Sequence, residues 1–190
     1  MSNESLNSAI VAERLASLLA DRGQEYALGG AIALGFWSEP RGTVDVDITL
    51  FLPPNDTQEC VALLQDIGCD VSSATASESL REHGFCRVYW KSIRVDVFLP
   101  IVSFYEYARK RRINVQLGDH RVSIWDAETM AVFKLMFFRR KDIADLEQLL
   151  RIRSELDRTW VRERILEIYG KYDPRLSQWD ELVSEIDHNS

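Results

Sequence analysis

The sequence predicts an α+β protein, with a mixed α/β front half over residues 1–125 followed by an all-helical region over residues 126–190 packed on that core. Three observations carry this. Residues 43–52 alternate apolar and polar with period two, as a half-buried strand does. Two hairpin patterns follow, 84–90 with 93–99 and 113–117 with 120–125, each across a two-residue turn. From Asp126 onward apolar residues recur at helical spacing, among them Met130, Phe133, Phe137, Leu146, Leu149 and Leu150.

Taken in order, Leu6, Ile10, Leu15, Leu18 and Leu19 lie on one face of a helix over 4–21, which Gly23 stops. Tyr26-Ala27-Leu28 is a short apolar strand ending in Gly29-Gly30, and Ala31 to Trp37 opens a short helix. Pro40-Arg41-Gly42 is a turn. In the strand over 43–52, Val44, Val46, Ile48 and Leu50 share one face, and Asp45, Asp47, Thr49 and Phe51 share the other. Pro53-Pro54 closes it. Residues 57–67 form a helix with Thr57 as N-cap and Gly68 past its end. Lys91-Ser92 and Gly118-Asp119 turn the two hairpins. Further helices are expected around 160–169 and 176–186.

The bulk numbers exclude several classes. A hydrophobic fraction of 46% over 190 residues supplies a buried core. No apolar run approaches membrane-spanning length. Met1 to Ser5 lack the charge and apolar stretch of a signal peptide, so a cytoplasmic location is expected. Cys60, Cys69 and Cys86 form no C-x-x-C pair and read as ordinary thiols. A net charge of −7 argues against a surface that is all nucleic-acid footprint. Two local basic runs stand out, Arg109 to Arg112 and Arg139-Arg140-Lys141.

The chemistry is concentrated in Asp45-Val46-Asp47. Residues i and i+2 of a strand project to one side, so the two carboxylates stand together and repel unless a cation lies between them. A hard divalent ion such as Mg²⁺ takes oxygen ligands of this kind. Arg94-Val95-Asp96-Val97-Phe98 presents a third carboxylate in the same setting. Three acids converging from neighbouring strands make a two-metal site, which holds a triphosphate, lowers the pKa of an attacking hydroxyl and stabilises leaving pyrophosphate. Taken alone, D-x-D is more often a solvated strand face than a metal site. The upstream Gly29-Gly30 adds specificity, because bare glycine at a helix N-terminus lets a phosphate approach the backbone.

These segments resemble the nucleotidyltransferase superfamily that includes DNA polymerase β. The resemblance rests on residues 28–35 (Leu-Gly-Gly-Ala-Ile-Ala-Leu-Gly), on Arg41-Gly42-Thr43-Val44-Asp45-Val46-Asp47-Ile48, and on Val95-Asp96-Val97. Within that superfamily the chain is similar to small aminoglycoside nucleotidyltransferases and to AbiE-type (AbiEii) toxin nucleotidyltransferases. The latter likeness includes Lys134 and the run Arg139-Arg140-Lys141-Asp142-Ile143-Ala144-Asp145-Leu146. The resemblance implies a nucleotidyltransferase fold and transfer of an NMP from an NTP, the donor, to a hydroxyl acceptor. It implies that Asp45, Asp47 and Asp96 hold two Mg²⁺ ions and that Asp96 takes or helps to take the acceptor's proton. Gly29 and Gly30 would cradle phosphates, Arg41 touch the triphosphate and Thr43 brace the loop. Lys134 would reach phosphate or base, and Asp142 would orient Lys134 or the nucleotide. The acceptor stays open between an aminoglycoside-like small molecule, tRNA and protein, and the AbiE likeness adds a possible antitoxin partner. The alternatives are the toxin component of a toxin–antitoxin system with this activity, or a catalytically degenerate nucleotide-binding protein. Ala31 replaces the serine that many members carry after the glycine pair, which moves the phosphate grip onto backbone N–H groups.

Other features have plainer readings. Lys134 fits a lysine whose stem lies along the edge of a core helix. Asp142 fits an N-cap, and Asp142 and Asp145 fit solvated helix positions. The Arg109 to Arg112 run reads as a solvated face or as a contact for polyphosphate or RNA. The isolated histidines match no ligand spacing, and of the tryptophans Trp37 and Trp90 lie nearest the candidate site.

Overall fold

The computed structural model describes residues 6–188. In chain order these form α1 (Ser8–Asp21), β1 (Tyr26–Leu28), α2 (Gly30–Leu34), β2 (Asp45–Leu50), α3 (Thr57–Asp66), α4 (Ser73–His83), β3 (Phe85–Trp90), β4 (Ile93–Phe98), α5 (Phe104–Arg111), β5 (Ile113–Leu117), β6 (His120–Ile124), α6 (Ala127–Phe137), α7 (Arg140–Ile152), α8 (Arg158–Tyr169) and α9 (Pro174–His188). The class is α+β, as predicted. The chain divides into two compact units, one of residues up to Ala33 with Arg41–Trp125, the other of Leu34–Pro40 with the chain from Asp126 onward.

The first unit holds one mixed six-stranded sheet in the order β3-β4-β2-β1-β6-β5. β2 runs antiparallel to β1, with Leu28 opposite Ile48, and parallel to β4, with Asp47 opposite Asp96. β3 and β4 form one hairpin and β5 and β6 the other, and β6 joins the sheet parallel to β1. The period-two pattern fixes which side is dry: Val46, Ile48, Val88, Val95 and Val97 are all buried. α1 packs on β1, β2 and β6, burying Val11, Leu15 and Leu19, while α4 packs on β3 and α3.

In the second unit α6, α7, α8 and α9 pack on one another around Leu135, Leu146, Leu149, Val161, Ile165, Trp179 and Leu182. None of the described helices is long and apolar enough to cross a membrane.

Several expected boundaries move, each for a local reason. α1 starts at Ser8 because the Asn7 side chain accepts the Ile10 N–H at 3.0 Å, and the rest of the predicted first turn lies outside the described residues, as does the segment read for a signal peptide. Thr57 is not the cap of α3. Asp56 is, accepting the Glu59 N–H, and Thr57 is buried with its hydroxyl 2.7 Å from that of Ser77. β2 is shorter than 43–52, and Val44, at 77% exposure, does not join the apolar face. α4 and α5 have no counterpart in the predicted elements. The helical pattern after Asp126 breaks at Phe138, whose backbone is left-handed (φ 54°) and whose N–H caps the Lys134 carbonyl.

Candidate active site

Strand register assembles the candidate site. Alternation puts Asp45 and Asp47 on one face of β2, and the parallel pairing sets Arg94 beside Asp45 and Asp96 beside Asp47. β3 adds Arg87 opposite Asp96 and Tyr89 opposite Arg94. The face is therefore a patch of three carboxylates and two guanidiniums. Arg87 grips Asp96 through two parallel hydrogen bonds, Nε to Oδ1 at 2.8 Å and Nη2 to Oδ2 at 3.0 Å. Arg94 donates to Asp45, and its Nε lies 3.6 Å from Asp96 Oδ1. Asp96 itself is only 8% exposed. The like-charge repulsion read from the sequence is thus relieved by arginines of the neighbouring strands. Among the described residues no three acidic, histidine or cysteine side chains form a ready metal-binding group.

Asp47 lies against the glycine turn. The Gly29 N–H donates to the Asp47 carbonyl at 2.9 Å, which docks the turn on β2 and commits that N–H to the sheet. A Cβ on Gly29 would meet the Trp125 indole at 3.3 Å, and Trp125 is wedged between Phe51 and Tyr105. Gly30 has φ +55° and no room at all: a Cβ there would lie 1.8 Å from Asp47 Oδ2. Burial pushes the Tyr105 hydroxyl up to about 12, although a bond with Thr49 pulls it back, so it stays protonated. A testable consequence concerns Gly30→Ala. The added methyl must expel the Asp47 carboxylate, and the left-handed backbone adds about 1–2 kcal/mol of strain. At roughly 2–4 °C per kcal/mol for a chain of this size, a thermal melt is expected to drop by several degrees. Unchanged melting would mean that the turn has slack that this packing denies.

Thr43 donates its hydroxyl to Asp45 and takes a bond from Ser8 on its carbonyl, so it braces the start of β2. Arg41 stands on the exposed irregular segment before it. Trp90 donates to the Ile67 carbonyl at 3.1 Å, a packing role. The Arg109 to Arg112 run is more ordered than a solvated face. Arg109 and Arg112 both pair with Glu25 and stand over the Phe51 ring, at 5.3 and 4.6 Å. The three cysteines are buried free thiols, which burial pushes up to about 12, so none is a nucleophile at neutral pH.

Lys134 and Asp142 belong to the helical unit and meet there. The Lys134 ammonium, 6% exposed, donates to Asp142 Oδ1 at 3.1 Å and to Asp145 Oδ2 at 2.6 Å. Asp142 is not the N-cap of α7. It sits in the first turn and accepts the Arg139 backbone N–H at 3.1 Å, while its own N–H donates to the Arg139 carbonyl at 2.8 Å. Burial pushes the Asp142 carboxyl up, but Arg139 and Lys134 more than reverse this and hold it below the usual aspartate range.

Arg87 and Arg94 were absent from the sequence-based set of site residues. Their signal was present in the alternation of β3, where Arg87 and Tyr89 share a face, and in the spacing Arg94-x-Asp96.

A mixed six-stranded sheet flanked by helices in this arrangement matches the nucleotidyltransferase fold. The solution structure of the antibiotic-resistance factor ANT(2'')-Ia shares it, with a TM-score of 0.57 and 10% identity over 95% of this chain and 95% of that one. The crystal structure of ANT(2'')-Ia in complex with adenylyl-2''-tobramycin gives a TM-score of 0.55 and 10% identity, covering 93% and 97%. No family model and no curated protein matches the sequence.

Proposed function

We propose that this protein transfers a nucleoside monophosphate from an NTP to a hydroxyl of a small acceptor. The observation that carries the reading is the pairing of Asp47 with Asp96 on adjacent strands, with Asp47 pressed against a glycine turn that admits no side chain. The donor set fits Mg²⁺. That ion is usually held by one or two carboxylates plus substrate phosphates, not by an all-protein cage, so two adjacent aspartates with Asp45 nearby suffice. Bound there, it would neutralise the phosphates and favour the ionised form of the attacking hydroxyl.

The chain's own residues supply the rest. Gly29 and Gly30 keep the turn free of side chains, so phosphate can approach the backbone closely. Thr43 holds Asp45 in place, and Arg41 on the adjoining segment offers a charge to the triphosphate. Asp96 is the group assigned to the acceptor's proton. The acceptor oxygen attacks the α-phosphorus, the bond to the β-phosphate oxygen breaks, and pyrophosphate leaves. ANT(2'')-Ia has been captured with an adenylylated tobramycin. On that likeness, ATP is the first donor to test and a polyhydroxylated amine the first acceptor class. The net charge of −7 favours such a cationic acceptor. Lys134 and Asp142 are read as positioning residues of the helical unit.

The test is calorimetric titration of each NTP, with and without Mg²⁺, into the wild type and the Asp45→Ala/Asp47→Ala variant. Metal-dependent binding of an NTP that disappears in the variant supports the reading and identifies the donor. Binding indifferent to both aspartates, or no binding, sinks it.

A further inference from the structure

The two arginines on the acidic face have no place in the transfer scheme, yet they hold its carboxylates. Arg87 occupies both oxygens of Asp96, at 2.8 and 3.0 Å, and Arg94 occupies Asp45. Register shows that this is built into the sheet: Arg87 and Arg94 each stand directly beside the carboxylate they bind. A divalent cation and a guanidinium compete for the negative charge of the same carboxylate, so the site as folded already contains the positive charge that a metal would bring.

The grip of Arg94 is incomplete. Its Nε is buried and makes no hydrogen bond, the nearest carboxylate oxygen being 3.6 Å away. A buried donor left unmet is destabilising, and an anionic oxygen entering beside it would satisfy it. Both guanidiniums also keep access to solvent, with Arg87 47% and Arg94 33% exposed at the side chain, so both can re-aim without unpacking the core. Planar guanidinium groups suit phosphate as well as they suit carboxylate.

Building on the transferase reading, we propose that Arg87 and Arg94 are exchangeable counter-ions. They neutralise Asp45 and Asp96 while the site is empty. They then pass to the phosphate chain of the entering metal–nucleotide complex, leaving the carboxylates to the metal. Metal alone then binds weakly, because it must draw two guanidiniums away from the carboxylates they bind without giving them a new anion. Metal delivered with phosphate binds well, because the displaced guanidiniums gain phosphate oxygens. The two arginines also supply the side-chain phosphate contacts that Ala31 cannot.

Calorimetry on the full chain tests this with Mn²⁺ alone and with a preformed Mn²⁺–pyrophosphate complex, which carries phosphate but no base. Thermal melts verify that each variant is folded. In Arg87→Ala/Arg94→Ala, Mn²⁺ alone is expected to bind at least tenfold more tightly than in wild type, and the pyrophosphate complex at least tenfold more weakly. Arg87→Lys, which keeps the charge, should stay close to wild type with Mn²⁺ alone. Mn²⁺ affinity that is unchanged or lower in the double alanine variant overturns the proposal, as does unchanged affinity for the complex. If the Mn²⁺ and pyrophosphate results hold while no NTP binds the wild type, the arginine exchange stands and the transferase reading fails.

Discussion

Asp47→Asn and Asp96→Asn are each expected to lower kcat for nucleotidyl transfer by about 10³-fold, equivalent to ~4 kcal/mol of transition-state stabilisation. Each substitution keeps the side chain's size and removes its charge, so the sheet should be little disturbed. The two differ in their by-products. Asp96 is 8% exposed and bound by Arg87 at both oxygens, so Asp96→Asn also frees a guanidinium. Asp47 lies against Gly30, so an amide there retains the packing but loses a negative oxygen at the turn. Asp45→Asn should be milder, because Asp45 stands opposite Arg94 and not opposite another carboxylate, and is shared between Thr43 and Arg94. Rates for the three variants, measured with the donor that calorimetry identifies, check this order. Near-wild-type turnover in Asp47→Asn would remove the acidic pair from the chemistry.

The acidic face was legible because it depends on local rules. Period-two alternation on β2 and β4 is a property of the strand itself, and it sets Asp45 and Asp47 on one side of β2 and Asp96 on the polar side of β4. The Gly29-Gly30 turn was legible for the same reason. What stayed hidden depends on neighbours. That Arg87 faces Asp96 follows from the register of a hairpin, and that Arg94 faces Asp45 follows from a parallel pairing between strands separated by two helices and a strand. A reading that counts like charges along one strand therefore misses the arginines that the sheet sets beside them.

The missed helices have equally specific causes. α4 (Ser73–His83) buries only Ala76 and Leu80, so its sequence Ser-Ala-Thr-Ala-Ser-Glu-Ser-Leu lacks an apolar stripe. α5 is eight residues long and half charged. The break at Phe138 carries no glycine or proline, and nothing in Phe137-Phe138-Arg139 signals a left-handed residue. The break matters, because it turns α7 back so that Asp142 and Asp145 reach Lys134.

That buried group yields the largest expected effect on stability. Lys134→Met keeps the apolar stem and removes the ammonium, which leaves Asp145 without its lysine and Asp142 with Arg139 as its principal partner. Removing one member of a buried ion pair typically costs about 3–5 kcal/mol, and the lysine is shielded from solvent (7% side-chain exposure), so little of that is screened away. At roughly 2–4 °C per kcal/mol, a melting point at least ~6 °C below wild type is expected. The variant Lys134→Met/Asp142→Asn/Asp145→Asn, which also removes the two carboxylate charges, should recover part of the loss. Nucleotide affinity, measured where Lys134→Met is still folded, separates structure from contact: unchanged affinity assigns the lysine to the helical unit alone, and a tenfold loss assigns it to the nucleotide. The pH dependence has a fixed sign. Asp142 titrates below its ordinary value of 3.8 when folded, so its contribution is complete above that value and is lost as pH falls through the lower, folded one. Wild type and Asp142→Asn should therefore melt far apart at pH 7 and draw together as the pH drops below about 4. Parallel curves down to pH 2.5 would show that the carboxylate's charge does not hold α6 to α7.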